Sequence, residues 1–348
     1  MGQNRVLTIS IAAYQVESYL EQTLNSLLLP EVLEDIEVLV VDDGSTDRTA
    51  DIARQYQEKY PETVRLICQE NGGHGAAVER GIQEATGEYF KTIDGDDWVE
   101  ASGFLELVRY LQMDDKIDIV CTPYDWVEHQ TGKVLKRISC DFDGISYQKI
   151  YPFTEVSDRI YVNMHAMTYR TQLIQKYMPP IDHHCFYVDA EYVLLPIPYI
   201  QSIAFLEQSV YQYRLGTDGQ SMNLRNMQKN CSHHERVLGR ILEAYQMQRD
   251  IAASVWKKGS RDEADRQAAL CRYLAKGAAR LVASQIKIYL SFSSAAKRKG
   301  RIRILERRIR KEYPEVYEAN TNRAVAILRR SGYRLGLLAS LMVRRGMR

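Results

Sequence analysis

The sequence lacks the features that mark membrane-spanning, disulfide-bonded and zinc-binding proteins. The longest uncharged apolar run near its carboxyl end, residues 335–343, is too short to cross a bilayer. The six cysteines lie far apart without a C-x-x-C pair, which favours reduced cytoplasmic thiols. No charged and then apolar leader opens the chain, and Val6 breaks the pattern for myristoylation at Gly2. We therefore expect a globular cytoplasmic protein without a transmembrane helix.

Length and charge predict two unlike parts. With 348 residues, 45% of them apolar, the chain exceeds one typical domain, so a large core and an appended region are expected. Residues 297–348 contain 16 Lys and Arg against 4 Asp and Glu, which leaves 30 basic against 41 acidic residues elsewhere. The near-zero net charge of +1 therefore conceals a basic tail, and such a split predicts that the tail interacts with a partner.

The first hundred residues alternate between strand and helix patterns. Strands are predicted over residues 6–11, 36–41, 64–68 and 89–94, with helices over residues 18–28, 47–60 and 75–85. Repeated β-α units of this length imply a parallel sheet with right-handed crossovers. Ligands bind such sheets at the carboxyl ends of the strands, so the functional residues should lie there.

Three carboxylates, Asp94, Asp96 and Asp97, follow the fourth predicted strand within four positions. Carboxylates so close repel one another unless water, a cation or hydrogen-bond donors compensate. A hard divalent ion such as Mg²⁺ suits them, because it takes a few carboxylates together with phosphate oxygens. The alternative is structural, since Asp96 or Asp97 could cap a helix that begins near Ala101. The cluster alone leaves both interpretations open.

The other strand ends also carry groups suited to a ligand. The first ends in two small residues and Tyr14, an aromatic face on which a base could stack. The second ends in Asp42 and Asp43, followed by a Gly-Ser-Thr turn that is equally typical of a helix start. The third leads to a glycine-rich turn at residues 71–75 whose N–H groups could face an anion. Val78 occupies the last glycine position of G-x-G-x-x-G, so a dinucleotide site is not indicated.

Taken in order and spacing, four motifs resemble family 2 glycosyltransferases of the GT-A fold, over roughly residues 5–215. They are residues 10–14, 40–47, 71–73 and 94–98. The resemblance implies an α/β fold, a Rossmann-like and mostly parallel central sheet with helices on both faces. It further implies an inverting enzyme that uses Mn²⁺ or Mg²⁺ and a nucleotide-activated sugar, usually a UDP-sugar. The sugar transferred would be a hexosyl or N-acetylhexosaminyl group.

The resemblance also implies roles for individual residues. Asp94 and Asp96 would be the D-x-D pair at the metal, and Asp97 could share that role. The donor site would comprise Ala12, Tyr14, Asp43, Gly73, Asp94 and Gly95, of which Ala12, Tyr14 and Asp43 would hold the uracil and ribose. The sequence departs from the family at Ala12, where many members have Pro, at Gln15, where they have Asn, and at Val78-Glu79, where many have Arg-Asn. The last departure removes a cation from one wall of the donor pocket.

The middle of the chain should supply the acceptor side. Residues 124–127 and 134–138 are predicted to form a hairpin, and residues 164–169 a further strand. Asp189 and Glu191 follow an aromatic pair at a predicted helix start, where an isolated Asp is often only a cap. The resemblance implies that Asp189 is the general base, with Glu191 as the second candidate. Arg214 and Gln220 would close a loop over the diphosphate.

The domain boundary is placed at residue 222. The catalytic domain would cover residues 1–222, with a nucleotide-sugar half up to about residue 122 and an acceptor half from about 123. No Gln-x-x-Arg-Trp signature of processive synthases is present, so addition of a single sugar is favoured. A sugar nucleotidyltransferase and a noncatalytic sugar- or partner-binding module on the same fold are the alternatives.

Residues 223–348 are predicted to be helical, including a helix over residues 268–290. Their apolar stripes would pack on the catalytic domain or on a second subunit, as in a homo-oligomer. In the basic tail, residues 297–348, cationic residues flank a short amphipathic segment, which favours peripheral binding to an anionic membrane surface. A solvated basic face is the plain alternative, and nucleic-acid binding is not expected because no reader motif is present. A glycan or lipid-linked acceptor, as in bacterial cell-surface polysaccharide synthesis, would suit such a location.

Overall fold

The structure, a computed structural model, describes residues 5–113, 116–216, 224–257 and 261–345. The chain divides into two compact units, residues 1–217 and 218–348. The first unit contains strands and helices, whereas the described part of the second is helical.

Twelve strands are described in the first unit. They are β1 Leu7–Ala13, β2 Ile36–Asp42, β3 Val64–Cys68, β4 Tyr89–Asp94, β5 Trp98–Val99, β6 Ile119–Cys121, β7 Tyr124–Glu128, β8 Val134–Ile138, β9 Ile150–Pro152, β10 Met167–Arg170, β11 Ser202–Phe205 and β12 Tyr211–Leu215. The helices are α1 Leu20–Leu27, α2 Thr49–Lys59, α3 His74–Glu84, α4 Ala101–Leu111, α5 Phe153–Val156, α6 Thr171–Tyr177 and α7 Asp189–Leu194. The predicted β-α alternation of the first hundred residues is confirmed, with boundaries that differ by a few residues.

The main sheet has the order β3-β2-β1-β4-β10-β6-β11-β9. Its first four strands are parallel, and β6 also runs parallel to β11. Strand β10 runs antiparallel to both of its neighbours, so the sheet is mixed beyond β4. Leu7, Ile9 and Ile11 of β1 are wholly buried, as expected for a central strand covered on both faces. The predicted α/β class is confirmed.

A smaller sheet of order β5-β12-β7-β8 brings a late strand back to the end of β4. The short strand β5 follows β4 after three residues, and β12 pairs with it through Gln212 and Trp98. The predicted hairpin is present as β7 and β8, with an irregularity at Trp126 and Val127. The strand predicted over residues 164–169 is wrong in its first half, because Met164–Ala166 forms a 3₁₀ turn before β10 begins.

The second unit consists of helices in its described part. They are α8 Leu224–Lys229, α9 Cys231–Lys257, α10 Arg261–Ser291, α11 Ala295–Glu312, α12 Pro314–Glu318, α13 Arg323–Arg330 and α14 Gly336–Arg345. Helices α9 and α10 pack along each other, and α9 buries Val237, Ile241 and Tyr245 at helical spacing. The predicted helical region is confirmed, although the helix predicted from residue 268 begins at Arg261. Among the described helices, none has both the length and the hydrophobicity that a membrane span requires.

Candidate active site

The acidic cluster, Asp94, Asp96 and Asp97, lies at the carboxyl end of the central strand β4. In the sheet register Ala12 pairs with Asp94 and Ala13 pairs with Asp42, so the carboxyl ends of β1, β2 and β4 are adjacent. Helix α4 is capped by Glu100, whose Oε2 accepts a hydrogen bond from Gly103 N at 2.9 Å. The cap therefore leaves the Asp96 and Asp97 side chains available for other contacts, and the structural alternative that assigned them to the cap is wrong.

Asp94 forms a hydrogen-bonded ion pair with the first residue of α3. Its Oδ1 lies 2.8 Å from His74 Nε2. Desolvation by itself raises the pKa of Asp94, but the charge and hydrogen bond of His74 outweigh it and lower the pKa. Desolvation likewise opposes a charged His74, yet Asp94 raises the pKa of His74 above its ordinary value. The pair therefore favours an ionised Asp94 beside a protonated imidazole.

Asp97 is buried and tied to the smaller sheet. Its Oδ1 accepts from Arg214 N at 2.7 Å, and its Oδ2 lies 2.6 Å from the hydroxyl of Tyr211. That hydroxyl also lies 3.3 Å from Asp94 Oδ2 and accepts a bond from Asp94 N at 3.2 Å. Burial raises the pKa of Asp97 well above its ordinary value, and the charges of Asp96 and Asp94 add to the effect. Tyr211 thus joins two members of the acidic cluster.

Asp96 is half-buried, and Arg214 holds its backbone. Arg214 Nε donates to Asp96 O at 2.6 Å, and Nη2 donates to Gln22 Oε1 at 2.8 Å. The guanidinium also packs over the ring of Trp98, 4.5 Å from its centroid. Burial, followed by the charge of Asp94, raises the pKa of Asp96 to about 6. Arg214 is part of β12, and through these bonds it holds the backbone of the turn that contains Asp96. If Arg214 were to close over a diphosphate, these bonds would have to break.

Gln220, the other residue predicted to close over the donor, lies outside the described residues. The role predicted for it therefore has no counterpart in the described structure.

A set of ligand atoms suited to a metal ion includes a residue that the sequence did not suggest. Atoms of Asp94, Asp97 and His165 lie within 4.8 Å of one another, whereas Asp96 is not part of this group. His165 Nδ1 has no hydrogen-bond partner among the described residues. Burial lowers the pKa of His165 to about 4, so its imidazole is neutral near pH 7 and can act as a ligand. Two carboxylates and an imidazole fit Mn²⁺ better than Mg²⁺, which prefers oxygen alone.

Asp43 holds the glycine-rich turn in place. Its Oδ1 accepts from Gly72 N at 2.9 Å and its Oδ2 from Gly73 N at 2.7 Å. Gln69 and Asn71 donate to the same carboxylate through their side-chain amides. Only 2% of Asp43 is exposed. In this structure the carboxylate therefore shapes the turn that precedes α3, and its role toward uracil and ribose stays a prediction.

The other predicted donor-site residues lie around the same strand ends. Tyr14 is 51% exposed just beyond β1, which leaves its ring available for stacking. Gly95 donates from its N–H to Ala12 O at 3.0 Å. A Cβ on Gly95 would lie 2.9 Å from the Val16 side chain, so this position requires glycine for close packing. The structure thus brings Ala12, Gly95 and Asp94 together, with Tyr14 at the rim.

Asp189 and Glu191, the two candidates for the base, have different surroundings. Asp189 is the first residue of α7 and its side chain is exposed. Desolvation raises the pKa of Asp189, the charge of His74 opposes this rise, and the charge of Asp94 adds to it. Glu191 is fully buried, and its Oε2 accepts from Asp182 N at 2.9 Å. The placement supports Asp189 as the group that can reach a substrate.

Glu79, at a position where the family often has Asn, is paired with a histidine. Its Oε2 lies 2.7 Å from His183 Nε2. The neighbouring Val78 is 2% exposed and packs within the core. The departure from the family pattern is thus accommodated by an acid–histidine pair between α3 and the segment that leads to α7.

Comparisons with known proteins identify a matching family model and similar chains. The model for glycosyl transferase family 2 matches residues 8–185. The uncharacterized glycosyltransferase YibD of Escherichia coli is 27% identical over 253 residues, covering 70% of this chain and 72% of that protein. The minor teichoic acid biosynthesis protein GgaB of Bacillus subtilis is 25% identical over 238 residues, 67% of this chain but only 26% of GgaB.

A solved structure shares the fold. The crystal structure of S. aureus TarS residues 1–349 in complex with UDP aligns with a TM-score of 0.59, covering 98% of this chain and 92% of that chain. Its sequence identity is 16%, so this likeness concerns the fold alone.

Proposed function

Because the chain belongs to glycosyltransferase family 2, we propose that it moves one sugar from a UDP-sugar to a hydroxyl of a glycan or lipid-linked acceptor in cell-surface polysaccharide synthesis. The expected family and the GT-A fold are both confirmed by the comparisons. The observation that carries the proposal is the meeting of Asp94, Asp96 and Asp97 with an accessible Asp189 at the carboxyl ends of the central strands. The names of GgaB and of TarS bound to UDP support the process and the nucleotide.

Asp94 is the central metal ligand in this proposal. It belongs to the D-x-D pair with Asp96 and also to the group with Asp97 and His165. A divalent cation held by these residues would supply positive charge beside the diphosphate, on which negative charge develops as the bond to the sugar breaks. Tyr211 and Arg214 keep these carboxylates close in spite of their repulsion, because they bond Asp97 and the Asp96 backbone.

Asp189 acts as the general base. The acceptor hydroxyl must lose a proton as its oxygen attacks the anomeric carbon. An exposed carboxylate at the start of α7, close enough to His74 and Asp94 for their charges to act on it, can accept that proton. Attack from the face opposite the diphosphate inverts the anomeric configuration, so a single displacement gives an inverted product.

The test of this function is binding and turnover of nucleotide-sugars by the full chain. Thermal stability is measured with UDP, GDP or CMP, with and without Mn²⁺, since a ligand of the folded state raises the melting temperature. We expect a shift with UDP that requires Mn²⁺ and is reduced in Asp96→Asn. Release of UDP from a panel of UDP-sugars then identifies the donor. No nucleotide-dependent shift and no UDP release would contradict the proposal.

Helix α14 supports the proposed membrane association. Leu337, Leu338 and Met342 are 63%, 56% and 67% exposed in a segment that follows many basic residues. Apolar side chains on a short helix can enter the headgroup region, while nearby cations attract anionic lipids. Such a location would place the enzyme beside a lipid-linked acceptor.

A further inference from the structure

The second unit contains a cavity of about 610 Å³ in whose lining basic residues of α11 and of the segments that follow it predominate. We propose that this basic cavity binds a phosphate-bearing anion. Its cationic residues are Arg303, Arg307, Arg310, Lys311 and Arg329. They lie in the basic tail and are distinct from the residues assigned to the sugar donor. The proposal therefore stands independently of the transferase function.

The one acidic residue among the lining residues is already neutralised. Glu306 is 4% exposed, and Arg329 donates to it from Nε at 2.7 Å and from Nη2 at 3.1 Å. Tyr333 donates its hydroxyl to the same carboxylate at 2.7 Å. The Arg329 guanidinium also stacks on the Tyr317 ring, 3.6 Å from its centroid. Glu306, Arg329, Tyr317 and Tyr333 thus form a connected group on one side of the cavity, and this group does not neutralise the other basic residues of the lining.

Four basic residues of the lining have no acidic partner among the described residues. Arg303, Arg307 and Arg310 recur at intervals of four and three residues, so they share one face of α11, and Lys311 follows directly. All four are exposed, and none forms an ion pair with a residue that the structure describes. Like charges at this spacing on one helix face repel one another. A bound anion would remove the repulsion, which gives the cavity a preference for multiply charged ligands.

Phosphate is the anion that this chemistry fits best. Guanidinium groups present paired N–H donors that match phosphate oxygens, and a lysine adds a mobile point charge. Three guanidinium groups without an ion pair to a described residue exceed what one carboxylate can use, although that of Arg310 lies 5.9 Å from the Tyr317 ring centroid. The volume accommodates a diphosphate or a phospholipid headgroup. Both sources offer the same group to the cavity.

The experiment compares the full chain with two double variants of equal charge. Arg307→Gln with Arg310→Gln alters the cavity, whereas Arg323→Gln with Arg330→Gln removes two exposed cations of α13 outside it. Calorimetric titration with inorganic pyrophosphate is done in EDTA, which prevents metal-dependent binding at the strand ends. We expect saturable binding that weakens about tenfold or more in the cavity variant and stays near the wild-type value in the control. Equal weakening in both variants, or no saturable binding by the wild type, would overturn the proposal.

A second arm identifies the source of the phosphate. The three proteins are floated with vesicles containing an anionic phospholipid, with and without pyrophosphate as competitor. Weaker flotation of the cavity variant than of the control, with displacement of the wild type by pyrophosphate, assigns the cavity to a lipid headgroup. Equal flotation of all three proteins, combined with the selective loss of pyrophosphate binding, assigns it to a soluble phosphate compound.

Discussion

Asp189 and Glu191 lie two positions apart on α7, yet only Asp189 has an exposed side chain. We expect Asp189→Asn to bind UDP-sugar nearly as well as the unaltered chain, because Asp189 is assigned to the acceptor proton and not to the nucleotide. Transfer should fall by a factor of about 10² to 10⁴, the usual contribution of a positioned base. Donor titration and the rate of UDP release measure the two effects separately.

Glu191→Gln provides the control for that variant. It keeps an acceptor for Asp182 N and should preserve most of the transfer rate. The pH profile adds a second check, since desolvation raises the pKa of Asp189 above its ordinary value. A protonated base is inactive, so transfer should fall about tenfold per pH unit below that raised pKa. Equal loss of binding and transfer in Asp189→Asn would refute the role.

Tyr211→Phe tests whether the acidic cluster needs its phenol. The substitution removes the hydroxyl that lies 2.6 Å from Asp97 Oδ2 and bonds the Asp94 backbone. A buried carboxyl then loses a partner, which costs about 1–3 kcal/mol. Urea unfolding should show this loss. In Tyr213→Phe, in the same strand, the hydroxyl removed has no hydrogen bond to a described residue, so a loss of equal size there would contradict the interpretation.

The site residues that sequence predicts lie directly after strands, whereas those found only in the structure are brought to the site by distant strands. Asp94, Asp96 and Asp43 follow apolar strands directly, so parallel-sheet topology was enough to bring them to one edge. His165 and Tyr211 reach that edge only because β10 and β12 return to it from more than 70 residues away. No local spacing signals such a return. The same holds for Arg214, whose contact with the Asp96 backbone depends on β12 pairing with β5.

At the scale of elements, the turn before α3 depends on glycine. Gly73 has φ +85°, and a Cβ there would lie 3.1 Å from His184 N. Gly73→Ala should therefore destabilise the protein by about 1–2 kcal/mol for the backbone alone, with a further cost from the clash. Because Gly73 N bonds Asp43, the Mn²⁺-dependent thermal shift with UDP should also shrink.

The variant Gly132→Ala separates the cost of a positive φ from the cost of the clash with His184. Gly132 has a similar φ of +69° in the β7–β8 hairpin, but a Cβ there meets nothing within 4 Å. The control should show the backbone cost and an unchanged response to UDP. If both variants lost the same stability and the same response, the turn would have no specific connection to the nucleotide site.

Element boundaries followed the sequence closely where the pattern was local. Strands β1 to β4 are short apolar runs between polar turns, and each was predicted within two residues at either end. The start of β10 was missed because Met164–Ala166 is as apolar as a strand but turns before pairing begins. The alternative in which Asp96 or Asp97 caps α4 is wrong, and local sequence does not decide it, since Asp97 and Glu100 are both acceptable acceptors and only the fold buries Asp97.

At the scale of the whole molecule, the net charge of +1 hides an acidic part, residues 1–296, and a basic tail, residues 297–348. The sequence predicted the basic tail, since counting charges requires no structure. It did not predict that several of these cations line one cavity, because that depends on α12 and α13 returning to α11. Some of the positive charge of the basic tail is therefore concentrated in the basic cavity, and the rest is spread over the surface.

The membrane proposal requires an apolar contribution that charge alone does not supply, and α14 is where it should lie. Leu338→Ser combined with Met342→Ser removes two side chains that are more than half exposed and share one helix face. If these side chains enter the lipid, flotation with anionic vesicles should weaken by a factor of roughly 10² to 10⁴, in line with about 1.5–3 kcal/mol for each of the two buried side chains. Ile304→Ser with Ile327→Ser, which removes exposed apolar side chains elsewhere in the same unit, should leave flotation unchanged. Equal binding by both double variants and the unaltered chain would exclude α14 as the inserting element.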